Sequence, residues 1–285
     1  MKPEQPAQPS IETTPEGCVI QRFTVPSPSM KREIQAEVVL PPEYAQKPDN
    51  HYPVLFAMHG MDAPYDSWAE MPKLKQELVT HPMIVVCFNG DAASFYIDAP
   101  KKSDSQFTTF FFKELIPYID SHYRSITSSK GRAVTGFSMG GYGAFHYMLE
   151  KPNAFASVSG LSTAFCKFDK NISPEKLNEL ANSYKLTPLL GSAKENPAAY
   201  HSMNLFTGIQ TALDNKTVLP PIYFHCGTED FLLSENRAIN DLLKSRGVSF
   251  DYLESSGAHH WSFWKNACVG ILQFHWKHFH SIVEK

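Results

Sequence analysis

Nowhere in the 285-residue chain do 18 apolar residues follow one another, so nothing in it predicts a membrane-spanning helix. An excess of one charge sign is also lacking. The 26 Lys and Arg stand against 29 Asp and Glu, and a net charge of -3 is too small to gather nucleic acid or an anionic membrane surface. Close cysteine pairs are missing as well. Cys18, Cys87, Cys166, Cys226 and Cys268 are odd in number and widely separated, which argues against zinc ligation; all five are expected to be free thiols. Residues 136–143 contain Gly-x-x-x-Gly-Gly but not the Lys and Ser/Thr of a phosphate loop, and no internal repeat is present. Neither a cofactor nor a metal is expected. The first 14 residues are rich in Pro, Glu and Gln and have no apolar segment, so they do not read as a signal peptide. Residues 1–17 are expected to form a flexible tail. The compartment stays open: cytoplasmic as the sequence stands, secreted or periplasmic if a leader once preceded the tail.

The composition that remains is that of a globular chain, 42% apolar and 19% charged, long enough for one large domain over residues 18–285. Residues 33–40 alternate, with Ile34, Ala36, Val38 and Leu40 on one side, which predicts an antiparallel edge strand. Val54–Met58, 83–88 and 132–137 are different: short, mostly apolar runs bounded by turn residues, as in strands covered on both faces. Helical patterns at 104–123 and from Ser138 onward separate them. Strand alternating with helix predicts an α/β fold with a mostly parallel, doubly wound sheet. Further strands are expected at 155–159, 222–226 and 250–253. From Ser262 to Val283, Trp264, Cys268, Ile271, Leu272, His275 and Phe279 recur at helical spacing. Residues 161–220 show no clear strand and read as an insertion over the sheet that shapes a substrate site.

Gly136-Phe137-Ser138-Met139-Gly140 satisfies G-x-S-x-G, and it falls between an apolar strand and a helix, where that pattern carries mechanical meaning. The turn is so tight that only small residues fit two before and two after the serine. A helix N-terminus also favours negative charge on the serine oxygen. A hydroxyl is a poor nucleophile at neutral pH, so a base and a group to orient that base are needed, in the chain order Ser, acid, His. Asp230 leads as the acid, in the loop Gly227-Thr228-Glu229-Asp230 after a strand. Glu229 is its competitor, read more plainly as a solvated loop carboxylate, while Asp241 reads as helical and Asp251 as part of a strand. The base lies in Gly257-Ala258-His259-His260-Trp261, and spacing does not decide between the two histidines. The developing oxyanion needs donors, for which the N–H groups of Met139 and Met61 are the candidates, the latter after His59-Gly60. Phe95, Tyr96, Trp261 and Trp264 are candidates for flanking an acyl group, although such rings are more often core. His275, His278 and His280 are read as helix-surface residues and not as a metal set.

With these residues the chain resembles the esterase D-like family of putative esterases of the α/β-hydrolase superfamily, which includes feruloyl and acetyl esterases, S-formylglutathione hydrolases and mycolyltransferases. The matching stretches are His59-Gly60-Met61 with Trp68, residues 94–100, 114–120, 136–144, 227–230 and 257–264. The resemblance implies Ser138, Asp230 and His259 as the catalytic residues, His259 because it stands two positions before a Trp, with Met61 and Met139 as oxyanion donors. Two departures bear on substrate choice: Met61-Asp62-Ala63-Pro64-Tyr65 lacks the usual further glycines, and Phe95 stands where relatives have Trp. The expected reaction is hydrolysis of small acyl or aroyl esters, including feruloyl or acetyl esters of carbohydrate, through an acyl-serine. Transfer of the acyl group to a sugar or lipid alcohol is the alternative, and a catalytically silent carbohydrate-binding fold a third.

Overall fold

The computed structural model describes residues 10–283. Its strands are β1 (Ser10–Thr13), β2 (Val19–Ser27), β3 (Arg32–Leu40), β4 (Val54–Met58), β5 (Ile84–Phe88), β6 (Arg132–Gly136), β7 (Ser157–Leu161), β8 (Ile222–Gly227) and β9 (Phe250–Ser255). They form one sheet in the order β1-β2-β3-β5-β4-β6-β7-β8-β9. The first three strands and β5 pair antiparallel, and every pairing from β5 through β4 to β9 is parallel. The helices are α1 (Pro72–Thr80), α2 (Phe107–Phe110), which runs through a π-helical turn at Phe111–Leu115 into α3 (Ile116–His122), then α4 (Met139–Glu150), α5 (Pro174–Ser183), α6 (Thr187–Leu190), α7 (Pro197–Ser202), α8 (Leu205–Asp214), α9 (Leu233–Ser245) and α10 (Trp261–Val283). This is the α/β-hydrolase fold. No described helix is long and apolar enough to cross a membrane.

The central runs are apolar throughout because both of their faces are covered. Along β4, Val54, Phe56 and Met58 join the core under α2 to α4, while Leu55 and Ala57 join a second core under α1 and α10. By contrast β9, at the sheet edge, alternates between half-buried and exposed residues. All five cysteines are free and buried.

Three expectations need correction. The strand β3 is antiparallel but not an edge: from Ala36 to Leu40 every residue is buried, because β2 covers one side and β5 the other. The expected tail is ordered in part. Residues 1–9 lie outside the described residues, but Ser10–Thr13 pair with β2, whose open row of backbone donors and acceptors accepts a further strand. Finally, His275 is not a surface residue. It is fully buried on the side of α10 that faces β7, its two ring nitrogens each 2.7 Å from a hydroxyl, those of Ser157 and Ser159.

Candidate active site

Ser138 occupies the turn between β6 and α4 with φ 54° and ψ -117°, a sparsely populated conformation for a residue with a side chain. Such strain costs on the order of 1–3 kcal/mol and is stored where surrounding structure enforces it. The enforcement is visible. Its N–H donates to the Leu161 carbonyl at 2.9 Å, and its own carbonyl accepts from Tyr142 and Ala164. A Cβ at Gly136 would stand 2.1 Å from the Gly140 carbonyl carbon, and one at Gly140 would stand 2.1 Å from the Met58 oxygen, so both glycines are required by close backbone approach.

The loops after β8 and β9 bring the other two side chains to it. The Ser138 hydroxyl lies 2.9 Å from His259 Nε2, and His259 Nδ1 lies 3.0 and 3.1 Å from the two Asp230 oxygens. A carboxylate only accepts, so Nδ1 carries the proton and Nε2 is left free to take one from serine. Burial pushes the Asp230 carboxyl up, but hydrogen bonds from His259, Ser162 and the Leu232 N–H outweigh it and hold the group below its ordinary value. It stays ionised near neutral pH. The two loops touch so closely that a Cβ on Gly227 would lie 2.0 Å from the Gly257 oxygen. Glu229, the competing acid, is exposed and fastens these loops together: its carboxylate accepts from the Gly257 N–H and its own N–H donates to the Gly257 carbonyl. His260 is exposed and turned away, hydrogen-bonded to Ser262 at the start of α10.

As the first residue of α4, Met139 has an N–H without an acceptor in its helix. Met61 lies in the turn after β4, where the neighbouring N–H groups are spent: Asp62 donates to Ala92 and Ala63 to Gly60. His59 holds this turn from beneath. Its Nδ1–H donates to the Gly60 carbonyl at 2.7 Å, its Nε2 accepts from the Gly90 N–H at 2.9 Å, and burial lowers it to about 4, so it is neutral.

A cavity of about 180 Å³ opens over Ser138, lined among others by Met61, Phe95, Met139, Tyr184, Phe231, His259 and Trp264. Four aromatic candidates are thus divided by the structure. Phe95 and Trp264 line the cavity, whereas Tyr96 is fully buried in the core, donating its hydroxyl to the His59 carbonyl, and Trp261 packs on Phe137 outside the cavity wall. Sequence reasoning missed Tyr184, delivered by the insertion, and Phe231, which is 70% exposed and lies 4.5 Å from the His259 ring. Adjacency to Asp230 was the available signal for Phe231; Tyr184 had none. A larger cavity, about 540 Å³, lies between α4 and the insertion on the far side of Tyr142, away from Ser138.

Comparison with known proteins agrees with this architecture. The family model described as putative esterase matches residues 27–275. An acetyl esterase of Caldicellulosiruptor saccharolyticus is 27% identical over 272 residues, covering 90% of this chain and 97% of its own. Among solved structures, a ferulic acid esterase superposes with a TM-score of 0.75 at 25% identity, over 91% of this chain and 98% of its own. An S-formylglutathione hydrolase from Agrobacterium tumefaciens, 19% identical, shares the fold with a TM-score of 0.77 over 95% of this chain and 98% of its own. With seven-eighths of its length matched by that one family model, the chain belongs to the putative esterase family and is a carboxylic ester hydrolase.

Proposed function

We propose that the chain is a serine esterase that cleaves short-acyl esters through an acyl-Ser138 intermediate. The observation that carries this reading is the 2.9 Å contact between Ser138 Oγ and His259 Nε2, with the other ring nitrogen on Asp230. His259 takes the hydroxyl proton as the serine oxygen attacks the ester carbonyl. Charge on the resulting oxyanion falls to the N–H groups of Met61 and Met139, each such donor being worth about 2.7–4 kcal/mol to the transition state. His259 then returns the proton to the departing alcohol, and water repeats the sequence on the acyl-serine.

The size of the acyl group follows from the cavity. At about 180 Å³ it falls below the roughly 300–1,000 Å³ typical of sites for drug-sized ligands. A cavity of that size suits an acetyl group, and a larger aroyl group would have to reach toward the exposed ring of Phe231 at its wall. The acetyl esterase relative supports the smaller acyl group and the ferulic acid esterase structure the larger; cavity volume favours the smaller. Hydrolysis of p-nitrophenyl acetate and methyl ferulate, with Ser138→Ala beside the parent, is the test. Loss of a triad serine costs roughly 10⁶-fold in kcat in a well-studied protease; a comparable collapse with acetate preferred over ferulate is expected, and equal rates in the two proteins would end the reading.

A further inference from the structure

Ser162 follows β7 directly, next to the Leu161 whose carbonyl receives the Ser138 N–H. It is fully buried, with φ 46° in the left-handed region, and its own N–H donates to the His225 carbonyl at 2.8 Å. Its hydroxyl accepts the indole N–H of Trp264 at 3.0 Å and stands close enough to the Asp230 carboxylate to help hold that group below its ordinary value. The chemistry of the two ends sets the direction. An indole N–H only donates and an ionised carboxylate only accepts, so the hydroxyl proton is left available to Asp230.

The Asp230 side chain, which has no solvent access, accepts from His259 Nδ1–H and the Leu232 N–H, with the Ser162 hydroxyl beside it as a further source of a proton. The same Trp264 stands edge-on to the His259 ring, centroids 5.0 Å apart at 89°, and stacks on Phe137 at 4.6 Å. We propose that Ser162, backed by Trp264, is a positioning residue for ester hydrolysis: the Trp264–Ser162–Asp230 chain holds the carboxylate so that His259 stays aimed at Ser138. This rests on the assignment of Ser138, His259 and Asp230 made above. The titratable groups near the carboxylate are His259 and the buried Cys226 thiol of β8, while Glu229 on the same loop turns to Gly257.

The test is p-nitrophenyl acetate hydrolysis by Ser162→Ala from about pH 5 to 9, expressed per site titrated with a fluorophosphonate. Without the Ser162 donor, Asp230 grips a protonated imidazole harder. The acid limb of the kcat/KM profile is expected to move upward by about half a pH unit, part of the roughly one unit that a hydrogen bond to a charged group is worth. Plateau kcat is expected to fall about tenfold, well short of the roughly 10⁴-fold that losing the carboxylate itself costs a serine protease, with KM little changed. Trp264→Phe frees the hydroxyl while retaining a ring, and it should move the limb in the same direction; the two changes combined should move it no further than Ser162→Ala alone. If Ser162→Ala does not fold, the Trp264→Phe limb decides. An unmoved limb, whether or not the plateau falls, overturns the proposal. Ser138→Ala run in parallel separates the failures: parent-level rates there bring down the esterase assignment, whereas an inactive Ser138→Ala beside an unmoved limb brings down only the role of Ser162.

Discussion

Ser138 keeps its strained backbone because Gly136 and Gly140 let three chain segments approach within contact of one another. At Gly140 the obstruction is the Met58 carbonyl, a backbone atom that cannot rotate aside, so Gly140→Ala is expected to destabilise by about 3 kcal/mol or more. A thermal unfolding midpoint equal to the parent's would show that the turn has slack the structure does not contain. The adjacent histidines make a second test. His259→Ala is expected to lose activity about as completely as Ser138→Ala, while His260→Ala, which removes an exposed ring bonded to the Ser262 hydroxyl, retains parent-like kcat/KM. G-x-S-x-G after an apolar strand singled out Ser138 and chain order singled out Asp230, and the structure brings both to His259. The choice of His259 over His260 was not legible from spacing, since it turns on how the Gly257 loop, at φ 148°, aims two consecutive side chains. Family resemblance had already favoured His259. Tyr184 was beyond reach because its approach to the cavity depends on how the insertion packs.

At the scale of elements, the buried parallel strands were readable from their continuous apolar runs, but strand neighbours were not. Order within a sheet is a non-local property, and β3 reads as an edge strand until β2 is known to lie outside it. Glu37 records the difference. It sits in β3 opposite Arg22 of β2, fully buried, with Nε of Arg22 at 2.8 Å. Burial raises its carboxyl from 4.5 to about 7, Arg22 offsets part of that, and Asp66 and Glu70 add to it. The folded chain thus holds this proton more tightly than the unfolded chain does. The stability it contributes is complete below about pH 4.5 and is lost as pH rises through about 7. Glu37→Gln should therefore gain thermal stability relative to the parent between about pH 5 and 8; a difference in midpoint that is constant with pH would contradict the assignment. His275 shows the same limit of legibility from the other side. Its helical spacing with Ile271 and Leu272 puts it on one face of α10 with them, but a histidine there reads as a surface residue until the two serines of β7 that accommodate the imidazole are known.

At the scale of the whole molecule, five histidines among the described residues are shifted toward the neutral form, His225 and His278 less far than His59, His146 and His275. Burial lowers His59 and His146 to about 4 and His275 to about 3, with the neighbouring His278 lowering His275 further. A histidine whose folded value lies below 6.5 supplies stability that is full above that pH and lost as pH falls toward 4 and then 3. These groups tie the turn after β4, α4 and α10 to the rest of the fold. Acid unfolding is expected to steepen below about pH 6 and to be accompanied by loss of the active site. Circular dichroism followed together with fluorophosphonate labelling checks this, and labelling that outlasts the fold would contradict it.

The proposed mechanism depends on proton transfer from Ser138 to His259. The most direct measurement is the rate and site of covalent labelling by a fluorophosphonate, read by intact mass and peptide mapping in the parent, His259→Ala and His260→Ala. A single adduct on Ser138 is predicted, formed at parent-like rate in His260→Ala and more than about 10³-fold slower in His259→Ala. An adduct on another residue, or equal rates in the two histidine variants, would contradict it.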